Sequence, residues 1–207
     1  MLYDITRTVS TQLAVWPGDA AYQVQPVLKI EQGHSVNLTT LIMSPHTGTH
    51  SDAYYHYQID GAHPAEMPLD SYIGRAHVVT VHKGRGELLP EDFAHVDLTG
   101  CERLLIHSRV SDLPDSAWAT KFVFLSVPLI DWLADLGVRL IGLDSPSVDD
   151  FESKDLPCHH RLYQRGMVNL ESLNLRDVPD GIYELIALPL KLDLACGSPV
   201  RAVLKTL

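Results

Sequence analysis

With 207 residues, 45% of them apolar and 20% charged, the chain has an ordinary globular composition and enough length for one full core, so a single domain over 1–207 is expected. A formal charge of −10 and a pI near 5.4 argue against nucleic acid or an anionic membrane surface as partner. Met1 to Ser10 hold no apolar core of signal-peptide length, and the longest apolar run, about Phe122 to Ile130, is too short to span a bilayer.

Leu2 to Thr8 reads as a short strand, and the Pro-Gly pair makes Trp16-Pro17-Gly18-Asp19 a turn. Trp16 there either caps the core edge or walls a pocket for a planar substrate. Tyr22–Ile30 and Ser35–Met43 are strand candidates around the turn Gln32-Gly33-His34. In the second, Val36, Leu38, Thr40 and Ile42 alternate with Asn37, Thr39 and Leu41, so it should deliver the following loop from the sheet.

That loop carries the densest chemistry in the chain. His46, His50, Asp52 and His56 fall within eleven residues. Imidazole and carboxylate without cysteine suit a catalytic metal, which keeps a position open for water, better than a structural zinc. Thr47-Gly48-Thr49 is a poor helix interior and Pro45 disfavours helix at Ser44, so a bend at Gly48 is expected, with Asp52 on the same turn. His56 either binds metal or stays free to carry protons. The plain alternative is a set of solvated loop residues. His34, His63, His77 and His82 read as loop or packing residues.

Further on, Pro68–Tyr72 suggests a helical turn, Ala76–His82 a strand and Pro90–Phe93 a helix start. Arg103–His107 reads as a buried strand. Leu129, Ile130, Leu133 and Leu136 have helical spacing within Val127–Gly137, and the nearly all-apolar Val138–Leu143 reads as a strand covered on both faces. Helix followed by buried strand implies α/β with some parallel pairing. The acidic loop Asp144–Asp150 lies where such folds place sites, or is simply a turn whose side chains cap backbone groups. A helix should start at Asp155 or Leu156 and end at Gly166, followed by Glu171 in an apolar setting that demands a partner for its carboxylate. Ile182–Leu192 and Val200–Leu204 complete the strands, with Glu184 on a solvated face. Cys101, Cys158 and Cys196 form no CxxC pair; reduced thiols in a cytoplasmic protein are expected, with Cys158 a small buried filler rather than a reactive thiol.

The stretch His46-Thr-Gly-Thr-His50-x-Asp52-x-x-x-His56 resembles the signature of the metal-dependent cyclase/hydrolase family that includes bacterial kynurenine formamidases. The likeness extends to Trp16-Pro17-Gly18-Asp19, to Asp144-Ser145-Pro146-Ser147-Val148-Asp149 with Ser153-Lys154, to Tyr183–Lys191 and to Ser198–Leu204. It implies a swivelling β/β/α-type domain with a mixed, strand-rich sheet. It also implies two divalent ions per subunit, zinc or manganese. His46, His50 and Asp52 would hold one; Asp52, His159 and Glu171 would hold the other. His159 and Glu171 have the family's spacing of twelve, whereas His160 gives eleven and is second choice. The resemblance further implies His56 as proton carrier, Trp16 against the substrate ring, a homodimer, and hydrolysis of N-formyl-L-kynurenine in tryptophan breakdown. Tyr54 stands where the family has Pro, so this loop is either less rigid or presents Tyr54 to the pocket. Competing readings are a sister amidohydrolase such as one opening isatin, a cyclase or dehydratase of the same superfamily, and a non-catalytic metal-binding module.

Overall fold

The computed structural model describes residues 1–207. Its strands and helices run β1 Leu2–Asp4, β2 Gln23–Leu28, β3 Leu38–Ile42, β4 His50–Asp52, β5 Ile73–Thr80, β6 Gly86–Glu87, β7 Arg103–His107 and β8 Val123–Phe124, then α1 Val127–Asp135 and β9 Leu140–Leu143. The chain continues through α2 Pro157–Gln164, β10 Val168–Leu170, β11 Gly181–Ile186, β12 Gly197–Pro199 and β13 Val203–Thr206.

Seven strands form one mixed sheet in the order β1-β13-β11-β5-β7-β9-β10. The first four are antiparallel, while β5, β7, β9 and β10 are parallel. This is the α/β, strand-rich mixed sheet that the sequence implies. Period-two alternation sends neighbouring side chains into different cores. Leu104, Ile106, Ile141 and Leu143 pack with α1 and α2 residues such as Leu129, Leu133 and Leu162. Leu105 and Leu140 pack on the other face with Tyr72, Leu170, Leu185 and Leu204. Gly142 permits close packing on that second face, since a Cβ there would lie 2.6 Å from Leu105 Cδ2.

Several elements differ from their sequence reading. The first strand stops at Asp4, because Asp4 turns its Oδ1 back to accept from Thr6 N and Arg7 N is taken by Thr49 Oγ1. Pro90–Phe93 is a single 3-10 turn rather than the start of a helix. The last segment is two strands, β12 and β13, and β11 ends six residues before Leu192. The main correction concerns β2 and β3. They pair only with each other, as a hairpin outside the seven-stranded sheet, so β3 does not deliver the histidine stretch from that sheet. Alternation marks a strand but not its partner. His50 to Asp52 likewise form a strand rather than a turn, because β4 pairs with β12 and exchanges backbone hydrogen bonds with Glu171. Gly48 does provide the expected bend, at φ +68°. No helix is long and apolar enough to cross a membrane.

Candidate metal centre and active site

Four segments converge on Asp52. The Gly48 bend brings His46 alongside β4, which carries His50 and Asp52. The end of β10 supplies Glu171 through its paired backbone bonds with His50. The first turn of α2 supplies His159. Asp52, His50, His159 and Glu171 are all buried. Burial of so many ionisable groups requires that they satisfy one another or a cation.

The imidazoles are aimed by their second nitrogens. His50 Nδ1 donates to Gly48 O at 2.8 Å, leaving Nε2 3.5 Å from Asp52 Oδ1 and 3.4 Å from Glu171 Oε2. His159 Nδ1 meets Asp149 Oδ2 at 2.7 Å, leaving Nε2 3.3 Å from Asp52 Oδ2 and 3.6 Å from Glu171 Oε1. Such outer partners fix tautomer and ring direction at metal sites. His46 presents Nδ1 to Asp52 Oδ1 at 2.9 Å. Its Nε2 lies 3.2 Å from Cys196 Sγ. Asn169 Nδ2 donates to Asp52 Oδ2 at 2.7 Å and Glu171 Oε1 at 3.1 Å, holding the two carboxylates together.

The donor set fits a divalent ion. His46, His50 and Asp52 form one group, and Asp52, His159 and Glu171 another; within each, one ligand atom per residue lies within 4.8 Å of the others. Asp52 Oδ1 is buried and has no aligned hydrogen bond, His46 Nδ1 approaching it without hydrogen-bond geometry. Electrostatics agree. Burial pulls the His46 and His50 pKa values down, but the Asp52 carboxylate outweighs it and raises them to about 10 and about 9. Burial likewise opposes charge on Asp52, yet His159, His46 and His50 hold its pKa well below the ordinary carboxylate value. The cluster is a cation-hungry pair of carboxylates that protonated imidazoles satisfy when no metal competes.

A cavity of about 260 Å³ opens onto these groups. Trp16 lines it, edge-on to Trp118 at 5.5 Å and tilted against Phe151 at 5.1 Å, so it packs against aromatics and also faces the cavity. His56 lines the same space, its ring 4.2 Å from that of His46. Loss of solvation around His56 lowers its pKa against the opposing pull of Asp52, favouring the neutral ring that a proton acceptor needs. Tyr54 does not line the cavity. Its hydroxyl donates to Met167 O at 3.1 Å and its ring packs edge-on to Tyr163, which anchors the turn where the family has Pro.

His160 is turned away, with Nδ1 2.7 Å from Gln58 Nε2, so His159 is the one brought to the carboxylates. His63 Nδ1 meets Ala195 O, His77 is buried in packing, and His34 and His82 are exposed in loops. Cys158 is a buried filler whose thiol donates to Leu125 O, and burial drives its pKa upward. Asp144 accepts from the backbone and hydroxyls of Ser108 and Ser111, as expected of a capping loop. Sequence reasoning missed Asp149, Asn169 and Cys196. A buried Asn in the apolar strand Val168–Leu170 carries the same signal that flagged Glu171. Asp149 lies in the acidic loop that the sequence marked as a possible site but with nothing to single it out, and Cys196 carries no signal, since its partner His46 is 150 residues away.

The Cyclase family model matches residues 3–150. A kynurenine formamidase from Salinibacter ruber is 45% identical over 205 residues, covering 99% of this chain and 97% of that protein. A solved structure described as a potential metal-dependent hydrolase with cyclase activity superposes with a TM-score of 0.84 at 28% identity, covering 99% of this chain and 96% of that one. Isatin hydrolase A from Labrenzia aggregata has a TM-score of 0.83 at 22% identity over 99% of this chain and 93% of its own, a likeness of fold alone. With its histidine and carboxylate residues gathered around one buried aspartate, the chain belongs to the Cyclase family of metal-dependent hydrolases.

Proposed function

We propose that this protein is an arylformamidase that hydrolyses N-formyl-L-kynurenine to L-kynurenine and formate, in tryptophan breakdown. The observation that carries this reading is two candidate ligand groups that share the buried Asp52 and present His46, His50, His159 and Glu171 to a cavity lined also by Trp16 and His56. The named relative, alike over nearly its whole length, supports the substrate.

His46, His50 and Asp52 would hold one ion and Asp52, His159 and Glu171 a second, with Asp52 bridging. The set suits zinc, and manganese as alternative. A divalent ion bound there supplies a Lewis acid that polarises the formyl carbonyl and acidifies the attacking water. The remaining work falls to the chain. Trp16 holds the aryl ring by its face. His56 takes a proton from water as oxygen attacks the formyl carbon. It returns that proton to the aniline nitrogen as the C–N bond breaks, so the amine leaves neutral. Asn169, Asp149 and Gly48 hold the carboxylates and imidazoles in place.

The subunits would pair as a homodimer. The β2–β3 hairpin leaves Val27 54% and Leu41 57% exposed, with Val24, Leu38 and Ile42 beside them, and a second copy would cover that apolar surface. Three free cysteines support a cytoplasmic setting.

The test is formate release from N-formyl-L-kynurenine by purified protein, before and after chelation and metal add-back. Chelator-sensitive turnover restored by metal is expected. No turnover by metal-loaded protein sinks the substrate, and isatin is the next amide to try, given the shared fold.

A further inference from the structure

The cavity beside the Asp52 centre is lined by more than ligands and aromatic rings. Arg7, Asp115 and Trp118 line it too, and the hydrolytic chemistry uses none of them.

Arg7 starts next to the metal-bearing stretch, where its backbone N–H donates to Thr49 Oγ1 at 2.9 Å. Its buried side chain reaches the loop after β7. There Nη1 donates to Asp115 Oδ1 at 3.0 Å and Nη2 to Val110 O at 3.1 Å. The two partners differ in exposure: the Arg7 side chain is 9% exposed, that of Asp115 38%. Asp115 is held from a second side, since Ala14 N donates to its carbonyl at 2.9 Å and so ties its loop to the segment leading into Trp16. The guanidinium therefore fixes the direction of a carboxylate that engages the chain through Oδ1 alone, which leaves Oδ2 able to accept from a ligand. Asp19, exposed on the turn after Trp16, adds a second carboxylate to the same lining and favours a cation there. Trp118, on the Asp115 loop, stands edge-on to Trp16, and its Nε1 is buried with no acceptor in the chain. Buried donors are nearly always paired, so an unpaired one against a cavity calls for an acceptor on a ligand.

An aimed carboxylate oxygen and an unpaired N–H complement a group that bears an ammonium and a carboxylate on one carbon. We propose that Asp115 and Trp118 form a subsite for the α-amino-acid head of the substrate, Asp115 Oδ2 accepting from the α-ammonium and Trp118 Nε1 donating to the α-carboxylate. This deepens the formamidase reading and rests on it. It explains how the cavity selects an amino-acid aryl amide over a neutral one such as isatin, which offers neither charge. Contacts so far from the scissile bond are made alike in ground and transition states, so their loss raises KM and leaves kcat.

The experiment uses metal-loaded wild type, Asp115→Asn, which keeps an oxygen for Arg7, and Trp118→Phe, which keeps a ring. Formate release is measured on N-formyl-L-kynurenine and on its analogue with hydrogen in place of the α-amino group. Calorimetry gives Kd for the two corresponding products, L-kynurenine and its desamino analogue. Wild type should favour the amino member of each pair by roughly tenfold, in KM and in Kd. Asp115→Asn should bring both ratios towards one. Trp118→Phe should weaken both members of each pair several-fold and preserve their ratio. A wild-type ratio near one overturns the proposal, as does a ratio that Asp115→Asn leaves unchanged, and undiminished binding by Trp118→Phe overturns its carboxylate half. Formate release without discrimination sinks the subsite and leaves the formamidase reading standing. Asp115-dependent binding of L-kynurenine by a protein that never releases formate does the reverse.

Discussion

Two small ribbons in this molecule invert the ordinary rule of burial. The β4–β12 pair buries His50, Ser51 and Asp52, while the β2–β3 hairpin exposes Val24, Val27, Leu38 and Leu41. Buried charge and exposed apolar side chains are each informative because each is costly until something satisfies it. For β4 the satisfying partners are close at hand, in neighbouring imidazoles that complete a donor set fit for a divalent ion. For the hairpin nothing within the chain covers it, which is the ground for proposing a second copy there. One ribbon is therefore a candidate for chemistry and the other a candidate for association.

The comparison breaks most sharply at Asp52. Asp52→Ala should abolish metal retention by both ligand groups, read by elemental analysis, and turnover with it. Retained metal would count against Asp52 as the shared ligand. Next is His56→Ala, which should lower kcat by about 10²–10⁴ with metal content unchanged. Near-full activity would remove His56 from proton transfer.

Proton competition tests the charge logic of β4. In the metal-free fold His46 and His50 titrate near 10 and near 9, above their ordinary value of 6.5. Their raised values stabilise the metal-free protein fully below about 6.5, and that stabilisation is lost as pH climbs through 9 and 10. Metal uptake must displace the same protons. Its affinity should rise with pH from 6.5 towards 9, by roughly tenfold per unit for each proton displaced. A competition assay with a metal indicator at three pH values reads this slope, and a flat response would mean that these imidazoles are not ligands.

For the hairpin, Leu41→Lys should convert a dimer to monomers in light scattering, with little change in Tm because the side chain is exposed within one chain. A wild-type monomer would end that reading. The smallest effect belongs to Tyr54→Phe. Losing the hydrogen bond to Met167 O should cost about 0.5–1.5 kcal/mol, lowering Tm by roughly 1–6 °C while leaving turnover intact.

Much of the fold was legible where periodicity and burial coincide. β7, α1, β9 and α2 lie where apolar spacing and Gly137 or Gly166 place them. Boundaries failed where a distant partner ends an element. β1 stops at Asp4 because Arg7 N is claimed by Thr49, and β11 ends at Ile186, opposite the first residue of its partner strand β5, Ile73. The hairpin was found as two strands but assigned to the wrong company, since its alternation looks the same whether or not a core covers it.

The sequence by itself determined most of the candidate donors. His46, His50, Asp52 and His56 are close along the chain, and the bend at Gly48 and the turn Tyr54–His56 bring them together in space. It also flagged Glu171, a carboxylate in an apolar strand. Only the tertiary structure decided which of His159 and His160 turns inward, because adjacent positions on a helix differ by about 100° in direction and only packing selects between them. It also decided what stands behind each imidazole: Asp149 behind His159, and Cys196 behind His46 across 150 residues of chain. Local pattern selects residue types, but contacts between remote segments follow from how whole elements pack, and no periodicity along the chain records them.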